Sequence, residues 1–297
     1  MNVWKKTWKG HALALFCALV WGVTFVASKR LLAAYTPTRL MFLRFVLAYA
    51  VLWALHPKWE RLVWREELRF FFMGLTGCTL YFWTENTALT LTATANVSTI
   101  VALAPLLTAL LAHVAARERE PLTARTWIGF AAAFCGVLLV VWQGTFVLRL
   151  SPAGDLLALA TAVFWAVFCV QQTYALARHS SLFITRKVMF YGIVTCLPLL
   201  ALEGFQGFSL APVLGSGTNL LCLLFLAVLG SALCYLAWAA GERVLGPVVM
   251  SSYIYAIPFI TLAAGAVLLD EPITATGVLG AALIVTGVWI SSVNPEK

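Results

Sequence analysis

ANVSTIVALAPLLTALLAHVAAREREPLTARTWIGFAAAFCG (Ala95–Gly136) reads as an apolar helix interrupted by Pro105, a charged turn ending in Glu120–Pro121, and a second apolar helix with Gly129 and Gly136. VVMSSYIYAIPFITLAAGAVLLDEPITATGVLGAALIVTG (Val248–Gly287) repeats the order, with Pro258, Glu271–Pro272, Gly280 and Gly287 in the matching places. A shared proline could arise by chance. A midhelix proline, a Glu–Pro turn and an equally spaced glycine pair do not readily recur together. Such self-similarity marks a duplicated membrane unit. Residues 1–146 and 147–297 are therefore read as two copies that together form one membrane domain.

Composition agrees. Of 297 residues, 62% are hydrophobic and 11% charged, with a mean hydropathy of +0.92. Soluble domains average about 45–50% apolar and about 25% charged residues. A spanning helix takes roughly 20 apolar residues, so spans and short turns use nearly the whole chain and leave no room for a soluble catalytic domain. The net charge of +8 sits in particular turns, which suits membrane topology and excludes nucleic acid as the partner. The seven cysteines fall inside apolar runs without a CxxC pair and read as packing residues.

Ten spans are predicted: 11–31, 38–55, 70–91, 95–116, 126–142, 154–176, 182–202, 219–244, 248–269 and 274–293. Lys5, Lys6, Lys9, Lys58, Arg61, Arg65, Arg69, Arg117, Arg119, Arg125, Arg178, Arg186, Lys187, Arg243 and Lys297 gather at one set of ends; Lys29, Arg30, Arg39 and Arg149 at the other. The positive-inside rule then places both termini in the cytoplasm. Five spans per copy is an odd number, so the second copy enters the bilayer from the opposite side. The expected fold is all-α, with two inverted five-helix repeats around a central cavity.

WGVTFVASK (Trp21–Lys29), PLTARTWIGFAAAFCGVLLV (121–140) and above all DEPITATGVLGAALIVTGV (Asp270–Val288) resemble the EamA family of the drug/metabolite transporter superfamily. The resemblance spans the chain. It implies a ten-helix inner-membrane transporter with a cavity between its halves, of a kind that often exports amino acids or other small metabolites.

Candidate site residues are those that are polar or aromatic at depth. Trp21 and Trp165 each lie about 15 Å into their helices and so near the midplane. Each begins a stripe at helical spacing, Trp21, Thr24, Phe25, Ser28 and Trp165, Phe168, Cys169, Gln172. Lining of a cavity and plain core packing both fit these tryptophans. Glu85 lies roughly 22 Å from its end of the third span. A carboxylate there costs about 2.5–3.5 kcal/mol on insertion scales, so pairing with Arg44 or Lys29 is expected. Its repeat mate is Trp238. Glu85 can serve as a substrate-ammonium site, a proton carrier or a static ion-pair member.

Arg186, counterpart of Arg44, reads either as a second gate arginine or as a snorkelling side chain. Tyr81, Asn86, Asn96, Thr99, Tyr235, Ser252 and Tyr255 complete the predicted substrate-binding set, since unpaired polar groups in lipid are costly. Pro105 and Pro258 are candidate hinges or fixed kinks. The glycine pairs read as close helix packing. The Glu–Pro pairs read as helix starts. The four histidines lack ligand spacing, so no metal is expected, and no cofactor.

The function expected is a secondary transporter exporting small amphipathic metabolites, amino acids foremost, by alternating access. Its partners are the substrate and the lipid bilayer, with a monomer as the unit. Proton coupling through Glu85 and facilitated diffusion both stay open. Efflux of lipophilic cationic drugs, with Glu85 as counter-charge, is the alternative. No GxxxxGK[ST], GxSxG or HExxH sequence occurs, so neither ATP drive nor an intramembrane enzyme is expected.

Overall fold

The computed structural model describes residues 3–57, 62–115, 124–142, 151–204 and 208–292, and no strand occurs among them. The long helices among the described residues are α1 (Val3–Leu32), α2 (Pro37–Leu55), α3 (64–91), α4 (94–115), α5 (Ala124–Trp142), α6 (Pro152–Leu176), α7 (Ser181–Glu203), α8 (Gly217–Leu245), α9 (247–269) and α10 (Ala275–Ser292), and a four-residue helix, Ala211–Leu214, precedes α8. Seven are long and apolar enough to cross a membrane: α1 from Trp8, α2, α4, α6, α7, α8 and α9. Hydroxyl side chains start several of them. Thr36, Ser151, Ser180 and Ser216 each accept a backbone N–H from the first turn, satisfying a donor the helix itself leaves free. The Glu120–Pro121 turn and the 146/147 boundary lie outside the described residues.

Four helices are irregular inside. A π-helical segment, Leu75–Leu80, interrupts α3, and another, Phe225–Leu233, interrupts α8. In α4 the α-helix ends at Val101 and restarts at Ala104, next to Pro105. In α9 a 3₁₀ turn, Tyr253–Ala256, precedes the α-helix that begins at Ile257, with Pro258 in its first turn. Proline has no N–H to donate and its ring crowds the preceding turn, so each helix breaks just before its proline.

The packing is reciprocal. Helix α1 lies against α8 and α9, and α6 lies against α3 and α4; α2 packs on α7, and α5 on α10. Gly129, Gly136, Gly280 and Gly287 are all buried, on the helices of that last pair. At Gly77 a Cβ would stand 2.3 Å from the Phe168 ring, so the close approach of α3 to α6 needs glycine there.

Polar side chains tie the ends of the bundle. At the N-terminal end, Lys187 of α7 meets Glu67 of α3 at 2.6 Å, and Arg178 meets Glu66 at 3.5 Å. At the opposite end, Glu271 accepts Lys29 Nζ (3.0 Å), the Thr94 hydroxyl (2.6 Å) and the Thr94 backbone N–H (3.2 Å). It therefore joins α1, α4 and the α9–α10 link. The expectation that Glu271–Pro272 starts a helix is not met: α10 begins at Ala275, and Thr274 caps it through Gly277 N–H. Asp270, with φ of 55°, turns the chain so that Glu271 points back into the bundle.

Burial pushes the Glu271 carboxyl up, but the Thr94 and Lys29 hydrogen bonds and the Lys29 charge outweigh it. The group is held below its ordinary 4.5. A depressed native value stabilises the fold fully above pH 4.5, and that contribution is lost as pH falls through the native value. Thermal unfolding of the detergent-solubilised protein is expected to show an acid-dependent loss below about pH 4.5 that Glu271→Gln diminishes. Gly77→Ala is expected to cost about 1–3 kcal/mol by overpacking, read as a lower melting temperature. Gly217→Ala, where a Cβ meets nothing within 4 Å, is the unaffected control.

Candidate functional site

The π-helical segments build the centre of the molecule. A backbone carbonyl has two lone pairs, and two aromatic side chains donate to carbonyls inside these segments. Trp21 Nε1 of α1 donates to the Gly230 carbonyl in α8 at 2.9 Å, and the Tyr235 hydroxyl of α8 donates to the Gly77 carbonyl in α3 at 2.6 Å. Ser231, in the same segment as Gly230, accepts Arg44 Nε. These bonds fix the rings around one another. Trp21 and Trp165 meet edge to face at 5.3 Å, Trp21 and Trp238 at 5.1 Å, and Trp165 and Tyr81 at 5.2 Å.

The rings enclose a cavity of about 20 Å³, room for roughly one water molecule. Its walls are Trp21, Thr24, Phe25, Arg44, Tyr81, Phe82, Glu85, Ser98, Val101, Trp165, Tyr235, Ile254 and Ile257. Two charged side chains face it. Arg44 is 2% exposed and its guanidinium stands 4.1 Å above the Phe82 ring. Glu85 is also 2% exposed and lines the same cavity; among the described residues the expected ion pair with Arg44 does not form within 4 Å, and the guanidinium donates to Ser231 instead. A guanidinium, a carboxyl and aromatic faces thus converge in a water-poor chamber, where charges interact more strongly than in water. The indole N–H groups of Trp165 and Trp238 are buried without a partner.

Of the residues singled out from sequence, Trp21, Thr24, Arg44, Tyr81, Glu85, Trp165 and Tyr235 are brought together here. Trp238 stands behind the wall, against Trp21 and Trp165. Lys29 does not reach Glu85, because Glu271 and the Thr92 carbonyl hold it at the end of the bundle. Gln172 is also displaced from the cavity: its amide donates to Glu242 at 2.8 Å. It lies seven residues beyond Trp165, about 10 Å along the helix. Ser28, seven residues beyond Trp21, is buried outside the lining with its hydroxyl unpartnered.

Asn86 donates to the Pro37 carbonyl instead of facing the cavity. Tyr255 packs with Leu103 and Leu106, because the 3₁₀ turn there advances 3.0 residues per turn and rotates it off the α-helical stripe. Asn96 and Thr99 line a different cavity, of about 110 Å³, shared with Pro258, Glu271 and Thr274. The Ser252 side chain lies outside the described ones. Among the described residues Arg186 forms no gate ion pair. It is buried and donates to the His56 carbonyl at the end of α2, while its neighbour Lys187 takes Glu67.

Ser231, Phe82 and Glu242 were not among the residues singled out. Ser231 and Phe82 look like ordinary span residues; Glu242, beside Arg243, looks like part of a charged turn.

The EamA-like transporter family model matches residues 8–142 and again 152–293. An Archaeoglobus fulgidus protein described as an "Uncharacterized transporter" is 26% identical over 295 residues, covering 97% of this chain and 99% of its own. A Salmonella typhimurium protein named "Probable amino-acid metabolite efflux pump" is 27% identical over 294 residues, covering 95% and 94%. One solved crystal structure, 21% identical, covers 95% of both chains with a TM-score of 0.68 and has the same fold. Matched to that model over almost its whole length, this chain belongs to the EamA-like transporter family of multi-pass membrane proteins.

Proposed function

We propose that the protein is a secondary transporter that exports amino acids or closely related zwitterions through the Arg44–Glu85 chamber. The observation that carries this reading is the pair of opposite charges buried in one aromatic cavity. A zwitterion offers a carboxylate to Arg44 and the Trp165 N–H, and an ammonium to Glu85 and the ring faces. A lipophilic cation would meet the Arg44 guanidinium in a low-dielectric site, a repulsion that disfavours the drug-efflux alternative. The relative named as an amino-acid metabolite efflux pump supports both substrate class and direction.

The architecture proposed is ten spans as two inverted five-helix copies. Three features support it: the π segments of α3 and α8, the proline breaks of α4 and α9, and the reciprocal packing of α1 and α6. The two successive family matches fit the same duplication. With the basic ends inside, both termini are cytoplasmic, and the Lys29–Glu271 end faces outward. The two halves rock about the Trp21–Trp165 contact, with Pro105 and Pro258 as hinges.

Uptake by proteoliposomes from a pooled metabolite library, with and without a pH gradient, tests the reading. Accumulation of amino acids is expected. Glu85→Gln is expected to lower it about tenfold or more, the scale of a lost hydrogen bond to a charged group. Trp165→Phe is expected to weaken carboxylate-bearing substrates while sparing amines that lack the carboxylate. Competition by quaternary ammonium compounds but not by amino acids would replace this reading with cation efflux.

A further inference from the structure

Glu242, on α8, has no place in the chamber described above. It is 4% exposed, and among the described residues no cationic side chain lies within 4 Å of its carboxyl. Three acids that join helices do have such partners: Glu271 has Lys29, Glu67 has Lys187 and Glu66 has Arg178. Glu242 has two neutral donors from α6 instead. Gln172 Nε2 lies 2.8 Å from one carboxyl oxygen and Thr173 Oγ1 lies 3.0 Å from the other. An ionised carboxylate buried among neutral groups is costly, and the usual relief is to bind a proton.

The Thr173 hydroxyl also lies 3.1 Å from the Cys169 carbonyl. A hydroxyl has one proton to donate and oxygen lone pairs to accept with. When Glu242 is ionised, Thr173 donates to it. When Glu242 carries a proton, the carboxyl donates to Thr173 Oγ1, and Thr173 turns its own proton to Cys169. Both protonation states are satisfied without moving a heavy atom. The arrangement is a built acceptor for one proton.

We propose that Glu242, held between α6 and α8 by Gln172 and Thr173, is the proton-binding site of this protein. The place suits coupling. Tyr235, Trp238 and Glu242 follow one another at three- and four-residue spacing along α8, so the carboxyl sits one turn beyond the aromatic cluster, toward the N-terminal end. The titratable groups on the elements packed there are turned elsewhere. His11 of α1 bonds Tyr253 of α9 at 2.8 Å, Arg186 of α7 takes the His56 carbonyl, Lys187 takes Glu67, and Arg243 takes the His179 carbonyl. Cys17 of α1 turns to the Cys234 carbonyl and Lys9 is exposed. The Cys169 thiol of α6 is the titratable neighbour that faces Glu242. With that end closed, the neutral acid is the stable form. Opening it admits water and favours the ionised form, so proton release and opening are linked. This coupling role rests on the transport reading; the proton site itself does not.

The test is an infrared titration of the full-length protein in liposomes with no solute added. A component of the protonated-carboxyl band that persists above the range where ordinary carboxyls titrate, about pH 4, and disappears as pH rises further is expected in the wild type and in Glu85→Gln, and is expected to be missing from Glu242→Gln. Persistence of the whole band in Glu242→Gln would overturn the proposal. Thr173→Val removes a bond from each protonation state, and the charge-assisted bond to the ionised form is the stronger one, so the midpoint is expected to move up by about one pH unit, a tenfold gain in proton affinity. An unmoved midpoint would also overturn it, and this arm decides the matter if Glu242→Gln does not fold. Because no transported solute is needed, the titration decides Glu242 even if the zwitterion reading fails.

Discussion

The bond from the Trp21 indole to the Gly230 carbonyl holds the centre of this molecule together. Inside a bilayer no water is on hand to satisfy a stray donor or acceptor, so each must find its partner within the protein. The Gly230 carbonyl lies in the π segment of α8, and Trp21 donates to it. The Gly77 carbonyl lies in the π segment of α3, and Tyr235 donates to it. Leaving such a buried group unmet costs about 1–3 kcal/mol, so the two bonds position the rings as firmly as their packing does. Arg44 is fixed in the same way, through Ser231.

The order of causes explains why some of this could be read from sequence and some could not. Hydrocarbon thickness demands long apolar segments, so the spans are written in the sequence directly. Arg44 and Glu85 stand out because charge at depth is rare and expensive. Trp21 and Trp165 stand out because each opens a polar stripe in a duplicated context. The π segments carry no such mark, since LTGCTL and FLAVLGSAL look like any apolar helix. Ser28 and Gln172 continue the stripes of Trp21 and Trp165 on regular helices, but seven residues carry each about 10 Å along its helix and past the cavity. Tyr255 was misplaced for a different reason, a 3₁₀ turn just before a proline. Glu271 looked like a helix start because proline follows it. Its bridging role depends on the left-handed Asp270 and on Lys29 being far away in sequence.

An ion pair ties each end of this structure and the middle is packed with rings. Lys29–Glu271 ties one end, Lys187–Glu67 the other, and the chamber between them has room for about one water. A solute the size of an amino acid therefore needs the walls to part, and the cost of parting differs by place. The end pairs are partly exposed: the Lys29 and Glu271 side chains keep 32% and 15% of their accessible surface, and Lys187 and Glu67 keep 10% and 21%. Exposed ion pairs contribute about 0–1 kcal/mol, because water replaces the partner when they separate. The ring cluster has no such substitute, since its contacts are apolar and its hydrogen bonds end on buried carbonyls. Under the transport reading, the ends are then the parts that open, one at a time, and the Trp21–Trp165 contact is the pivot that persists. On that same reading the molecule needs no strong latch at either mouth, because its resistance to a leak lies in the aromatic plug and the proposed ligand, by satisfying both Arg44 and Glu85, replaces what the plug provides.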